Sequence, residues 1–230
     1  MTDDKFTEDK VGDSYPEEVT LDEAGLALPI DGVGADEPEV ASVQERPITP
    51  EDLAALAEVD AELNQRWPET KIDPTLERVE MLMDLLGHPE RAFPVIHVAG
   101  TNGKTSVVRM IESLMRAFHR RTGRTTSPHL QLVTERIAID GKPLHPRDYV
   151  DTWRDIHPMV EMVDGKSQAE GGPQMSKFEV LVAMAYAAFA DAPVDVAVVE
   201  TGMGGRWDAT NVVNSDVAAV SYTHLTLPTS

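Results

Sequence analysis

Apolar residues recur along this chain in three rhythms. From residue 50 the rhythm is helical: Leu53, Leu56, Val59 and Leu63 return every three or four positions. Thr49 is a good N-cap, Pro50 suits the first helical position, and Glu51 and Asp52 favour the positive end of a helix dipole. A helix is therefore predicted from residue 50 toward Arg66-Trp67-Pro68. A second is predicted with Asp73 as cap and Pro74 first in the helix, burying Leu76, Val79, Leu82, Met83 and Leu86 and stopping at Gly87-His88-Pro89. Residues 95–99 and 194–200 are instead continuous β-branched runs, the pattern of strands buried on both faces of a parallel sheet. Residues 133–139 alternate, which predicts a strand, and lead into Asp140-Gly141, a strong hairpin signal. Tyr149, Val150, Trp153 and Ile156 predict a helix strained or stopped at Pro158, and residues 164–175 read as a polar loop. Ser176 with Glu179 forms a capping box before an Ala-rich helix through Phe189, and residues 217–220 begin a third strand.

The junction after the 95–99 run is where chemistry enters. Gly100-Thr101-Asn102-Gly103-Lys104-Thr105-Ser106 places two glycines, a lysine and three hydroxyls at the mouth of a predicted helix. Val107, Val108, Ile111, Leu114, Met115 and Phe118 give that helix its apolar positions. His119, Arg120 and Arg121 suit its negative end, and Gly123 offers a stop. A strand, a glycine turn and a helix N-terminus together aim free backbone N–H groups and a dipole at an anion, and a lysine adds a full charge. The motif is not a standard Walker A sequence, which requires glycine where this chain has Val98. A plain strand-to-helix turn is the competing reading, but it requires neither the second glycine nor the lysine.

Two further stretches belong to the same end of a predicted sheet. Thr125-Thr126-Ser127-Pro128-His129-Leu130 places a hydroxyl and an imidazole on a loop after a short strand, although a simple turn also accounts for Ser-Pro. Glu200 closes the 194–200 strand with a carboxylate, which in nucleotide-binding α/β proteins holds Mg²⁺ and otherwise merely faces solvent. The residues after it, 201–211, carry three glycines with Arg206, Trp207 and Asp208.

Composition narrows the picture. The chain has 230 residues and is 41% hydrophobic, enough for a substantial core, and no apolar run approaches 18 residues. It has no cysteine, which excludes disulfides and thiolate chemistry and points to a reducing, cytoplasmic setting. The net charge of −20, with no basic stripe, argues against nucleic acid as a partner. Residues 1–45 hold most of their charge as Asp and Glu, with few apolar residues to bury. They are expected to form a disordered acidic leader with a transient turn near residues 21–28.

Taken together, residues 100–106, Ser-Pro-His-Leu at 127–130, Glu-Arg-Ile at 135–137 and Glu-Thr-Gly-Met-Gly-Gly-Arg-Trp-Asp-Ala-Thr-Asn at 200–211 resemble folylpolyglutamate synthase. Its members are often also dihydrofolate synthases and belong to the wider Mur ligase family. Residues 72–79 resemble its pterin-side helix, so the likeness runs from about residue 50 to 220. It implies an α/β fold: a Mur ligase-like P-loop domain of three layers with a mainly parallel sheet.

The implied activity is ATP-dependent ligation of L-glutamate to a folate, and in some members to dihydropteroate, through an acyl phosphate, with ATP and Mg²⁺ as cofactors. Residue by residue, Thr101, Asn102, Gly103, Lys104, Thr105 and Ser106 match the ATP-phosphate loop, and Ser127 and Glu200 match metal ligands. Asp73, Pro74, Thr75 and Leu76, with Trp207, Asp208 and Ala209, match substrate-contacting positions, while Lys104 and Glu200 are the expected catalytic pair. His129 and Arg136 lie inside the motifs without an assigned role. Thr105 departs from the family's commoner glycine at that position.

The larger departure is residues 221–230, which lack the family's Asp-His and Leu-Gly segment and its further metal-ligating histidine. From this the domain is expected to be truncated, the glutamate-side C-terminal domain absent, and these residues inactive alone, with an exposed sheet edge that favours aggregation. A cell-wall Mur ligase and a non-catalytic nucleotide-binding module are the competing readings. The implied partners are small molecules, with no membrane partner.

Overall fold

The computed structural model describes residues 21–22, 25–26, 46–67 and 75–223. The chain divides into two units, Met1–Arg46 and Pro47–Ser230. In the first, Leu21–Asp22 pairs antiparallel with Gly25–Leu26, within the stretch where a turn was expected. The rest of the acidic leader lies outside the described residues.

The second unit is built on a six-stranded sheet. Its strands are β1 (Val95–Ala99), β2 (Thr122–Thr125), β3 (Ile137–Ile139), β4 (Lys142–Pro143), β5 (Val196–Glu200) and β6 (Val217–Val220). Their order across the sheet is β4-β3-β2-β5-β1-β6. The four strands from β2 to β6 are parallel, and the β3–β4 hairpin adds an antiparallel edge. The hairpin turns at Asp140 and Gly141, both with positive φ, as the Asp-Gly pair predicts.

Among the described residues five α-helices accompany the sheet: α1 (Pro50–Leu63), α2 (Glu77–Leu85), α3 (Lys104–Ala117), α4 (Pro146–Ala169) and α5 (Lys177–Asp191). Thr49 is the N-cap, as expected, and also closes a capping box with Asp52; Ser176 and Glu179 close the predicted one. Alternation along β5 sorts the layers: Ala197 and Val199 join the large core with α1, α2, α4 and α5, while Val198 faces the other way, toward α3. The α3 side is thin. Its buried apolar residues are Val98, Val108 and Val198, whereas Met110, Leu114 and Phe118 of the same helix are exposed. The expected three-layer, mainly parallel α/β architecture is present.

Local readings were corrected at five places. Residues 133–136 form a 3₁₀ turn rather than a strand, because the Glu135 carboxylate accepts the N–H groups of Leu130, Gln131 and Leu132 and closes the chain on itself. Helix α4 continues through Pro158. Trp153, Ile156, Val160 and Val163 are buried at helical spacing on both sides of it, and their burial outweighs one missing backbone bond. The same helix takes up residues 164–169 of the predicted loop, held there by Asp164, which pairs with Arg66 at 2.8 Å and accepts the Met175 N–H at 2.7 Å. Helix α3 ends at Ala117 through a left-handed His119, not at Gly123. Gly123 lies instead in β2, where a Cβ would stand 2.7 Å from the Phe189 ring. Helix α2 starts at Glu77 with no side-chain cap; Asp73 and Pro74 lie outside the described residues.

Candidate functional site

Parallel strands deliver their carboxyl ends to one edge, and three of them meet here. In register, Val98 of β1 lies beside Glu200 of β5, and Thr125 of β2 beside Val199. The loop after β1, the loop after β2 and the last residue of β5 are therefore neighbours, as at the ligand end of open α/β sheets.

The loop after β1 turns at Gly100 and Gly103, with φ of 138° and 72°. The left-handed Gly103 is the N-cap of α3 and offers no side chain to its first turn. The N–H groups of Lys104, Thr105 and Ser106 precede the first intrahelical bond, which Val107 donates to Gly103 at 3.0 Å. They are the donors that the helix end presents to an anion. The N–H groups of Thr101 and Asn102 are engaged otherwise, donating to the Tyr222 carbonyl at 2.9 and 3.4 Å. Lys104 folds back so that Nζ donates to the Gly100 carbonyl at 3.0 Å, holding its charge over the loop.

Thr105 connects this loop to the carboxylate. Its hydroxyl lies 3.1 and 2.9 Å from the two Glu200 carboxylate oxygens, and the Ser127 N–H donates to one of them at 3.3 Å. Glu200 is 3% exposed. Burial pushes its carboxyl above the ordinary range, against the opposing pull of the Thr105 and Ser127 bonds and of the Lys104 and Arg124 charges. The structure thus brings together Lys104, Thr105, Ser127 and Glu200. The direct Thr105–Glu200 contact spans 95 positions, and no local pattern in the sequence reveals it.

The Glu200 carboxylate with the Thr105 hydroxyl against it, and a serine whose N–H binds the same carboxylate, supply oxygen donors of the kind Mg²⁺ prefers, with water and phosphate oxygens completing the shell. Among the described residues no group of three or more His, Cys, Asp or Glu is placed to hold a metal. The set present fits a cation held partly by a bound phosphate and does not form an all-protein cage.

The loop after β2 is shaped by Glu135. Three backbone N–H bonds hold its carboxyl well below the usual range, at about 2. Arg136 donates from Nε to His129 Nδ1 at 3.0 Å, and burial with the Arg136 charge lowers the His129 pKa. The Ser127–Pro128 peptide bond is cis.

The glycine-rich stretch after β5 divides by exposure. Asp208 is buried: one oxygen accepts the Gly204 N–H at 2.8 Å and the other the Thr210 N–H and hydroxyl at 3.1 and 2.6 Å. The Thr210 hydroxyl also lies 2.7 Å from His97 Nε2. Its single proton goes to the carboxylate, so His97 donates from Nε2. Burial lowers the His97 pKa, with Asp208 opposing. Asp208, expected to contact substrate, is thus engaged in bracing its own loop against β1. Ala209 is buried; Trp207 is 51% exposed, with the Arg206 guanidinium 5.2 Å from its ring centre. Of the substrate-side residues predicted near 73–76, Thr75 and Leu76 lie just before α2 and are half-buried.

No protein-family model matches the sequence. Individual relatives do. A dihydrofolate synthase/folylpolyglutamate synthase of Mycobacterium tuberculosis is 65% identical over 176 residues, 75% of this chain and 36% of the relative. A protein of the same name from Bacillus subtilis is 37% identical over 160 residues, 68% of this chain and 36% of the relative. Among solved structures, a Mycobacterium tuberculosis folylpolyglutamate synthase complexed with ADP matches with a TM-score of 0.72 and 62% identity, covering 76% of this chain and 38% of that one. Escherichia coli FolC in complex with DHPP and ADP matches with a TM-score of 0.62 and 35% identity, covering 75% and 39%. The chain spans little more than a third of the length of the curated relatives it matches.

Proposed function

We propose that this chain, a member of the folylpolyglutamate synthase/dihydrofolate synthase family of ATP-dependent ligases, carries the nucleotide and metal end of a folate–glutamate ligase. The observation that supports this most is the meeting of Thr105 and Ser127 on the buried Glu200, directly beside the N-terminus of α3. In this reading the Lys104, Thr105 and Ser106 N–H groups and the Lys104 ammonium receive the phosphates of ATP. Glu200, Thr105 and Ser127 hold Mg²⁺, which supplies charge neutralisation of phosphate oxygens during transfer. The related structures named with ADP, and one from Yersinia pestis with AMPPNP and a Mn ion, support the same assignment.

The reaction of the whole ligase is the transfer of the ATP γ-phosphoryl group to a folate or dihydropteroate carboxylate, followed by attack of the glutamate amine on the acyl phosphate and release of phosphate. This chain's residues bind and orient the phosphates for the first step. Lys104 leaves the Gly100 carbonyl to follow the transferring charge, and the buried setting of Glu200 strengthens every charge contact there. Trp207, exposed in the 201–211 stretch, is assigned to the aromatic substrate, whereas Asp208 braces that stretch through Gly204 and Thr210. No helix among the described residues is long and apolar enough to cross a membrane. The assignment to a reducing cytoplasm rests on the cysteine-free composition.

Calorimetric titration with Mg²⁺ and a non-hydrolysable ATP analogue tests the reading. Saturable binding that is lost in Lys104→Ala is expected, and absence of binding by the parent chain would overturn it.

A further inference from the structure

Helix α3 carries the phosphate-binding turn, yet its hold on the sheet is slight: Val108 is its one fully buried apolar residue. Besides the exposed Arg116–Asp140 ion pair at 3.4 Å, two polar ties supplement it. One is Thr105 to Glu200. The other is Glu112, seven residues on and about 10 Å farther along the helix. Positions 105, 108 and 112 share one helical face, so both ties and the apolar contact lie in one line. Glu112 Oε2 meets Arg124 Nε at 2.7 Å, each side chain being 6% exposed.

Arg124 is on β2 opposite Val198, on the face that α3 covers. It reaches in two directions. Toward α3 it pairs with Glu112. Toward the site it donates from a terminal nitrogen to Thr126 Oγ1 at 3.3 Å, and its charge acts on Glu200. Thr126 is further fixed by its N–H to the Arg136 carbonyl at 3.1 Å and its hydroxyl to the Glu135 carbonyl at 3.3 Å. The next residue, Ser127, donates to Glu200. Glu112 Oε1 has no hydrogen-bond partner, and Arg124 Nε meets Oε2 as a close ion pair without hydrogen-bond geometry, so the pair is not optimised for stability. Apolar residues of similar volume commonly replace a buried ion pair without loss of stability. What they do not supply is a charge pair that joins the helix to a strand residue itself bonded to Thr126.

We propose that the Glu112–Arg124 pair is a positioning device that fixes α3 against the end of β2, so that Thr105 and Ser127 meet the same carboxylate, Glu200. The proposal rests on the nucleotide–metal reading of that site. Neither residue touches the phosphates; both act through Thr105, Thr126 and Ser127.

The test compares the full chain with Glu112→Leu/Arg124→Met and with Arg124→Lys. It reads the dissociation constant of AMP-PNP with and without Mg²⁺, together with Tm. The apolar pair is expected to keep the parent Tm and metal-free affinity while losing roughly 10-fold in Mg²⁺-dependent affinity, as is usual when a supporting contact of a metal site is removed. Arg124→Lys keeps the charge but not the fork to Thr126, and a several-fold loss is expected. An unchanged Mg²⁺-dependent affinity in the apolar pair, or in Arg124→Lys should the pair fail to fold, overturns the proposal. Equal losses with and without Mg²⁺ also overturn it, since they mark a general structural role. Failure of the parent to bind nucleotide overturns instead the reading beneath it.

Discussion

The Thr105 hydroxyl lies 2.9 Å from the Glu200 carboxylate, joining the first turn of α3 to the last residue of β5. One hydroxyl proton serves two carboxylate oxygens, so the contact is exchanged readily for a cation that both oxygens and the hydroxyl can face. Thr105→Val keeps the side-chain shape and removes the oxygen. The variant is expected to fold with a lowered Tm, because the buried Glu200 carboxylate loses a donor, and to bind Mg²⁺·AMP-PNP roughly 10-fold more weakly, whereas Thr105→Ser retains both. Calorimetry on the three proteins checks this.

Glu135 governs acid stability of the loop that carries Ser127. Its folded pKa, about 2, lies below its ordinary 4.5. The unfolded chain therefore takes up the proton first as pH falls, and the stabilisation by the ionised carboxylate, complete above about 4.5, is lost toward about 2. Denaturant titrations of the parent and Glu135→Gln should differ at neutral pH, the parent being more stable, and converge across that window. A difference that stays constant with pH would contradict this account.

Thr210 has no exposed surface and serves both His97 and Asp208. Thr210→Val keeps the volume but leaves a half-buried imidazole N–H without its acceptor. A loss of about 1–3 kcal/mol is expected from urea unfolding. Proteolysis should also cut the 203–207 stretch faster, because Asp208 then loses the hydroxyl that helps fix it.

Local chemistry made much of this fold legible. Ser176 with Glu179 is a four-residue signal that closed as read, and Thr49 is the N-cap that its position announced. The β-branched runs gave β1 and β5, and Asp140-Gly141 gave the hairpin. What escaped depends on partners distant in sequence. Pro158 reads as a breaker until Trp153 and Val160 are seen buried around it. Residues 133–136 alternate like a strand until Glu135 gathers the N–H groups upstream. Ser127 and Glu200 were readable as motif residues, but that Thr105 binds Glu200 follows from strand order, which brings β5 beside β1. The Asp208 motif announced a ligand loop, although its carboxylate is turned inward to Thr210 and Gly204.

The central claim is that Glu200, with Thr105 and Ser127, holds the metal of a nucleotide complex. Electron paramagnetic resonance of Mn²⁺ titrated with AMP-PNP, on the parent and on Glu200→Gln, tests it most directly. The account predicts a protein-bound Mn²⁺·AMP-PNP signal in the parent that is abolished or at least roughly 10-fold weakened in Glu200→Gln. Equal Mn²⁺ binding by the two proteins would contradict it.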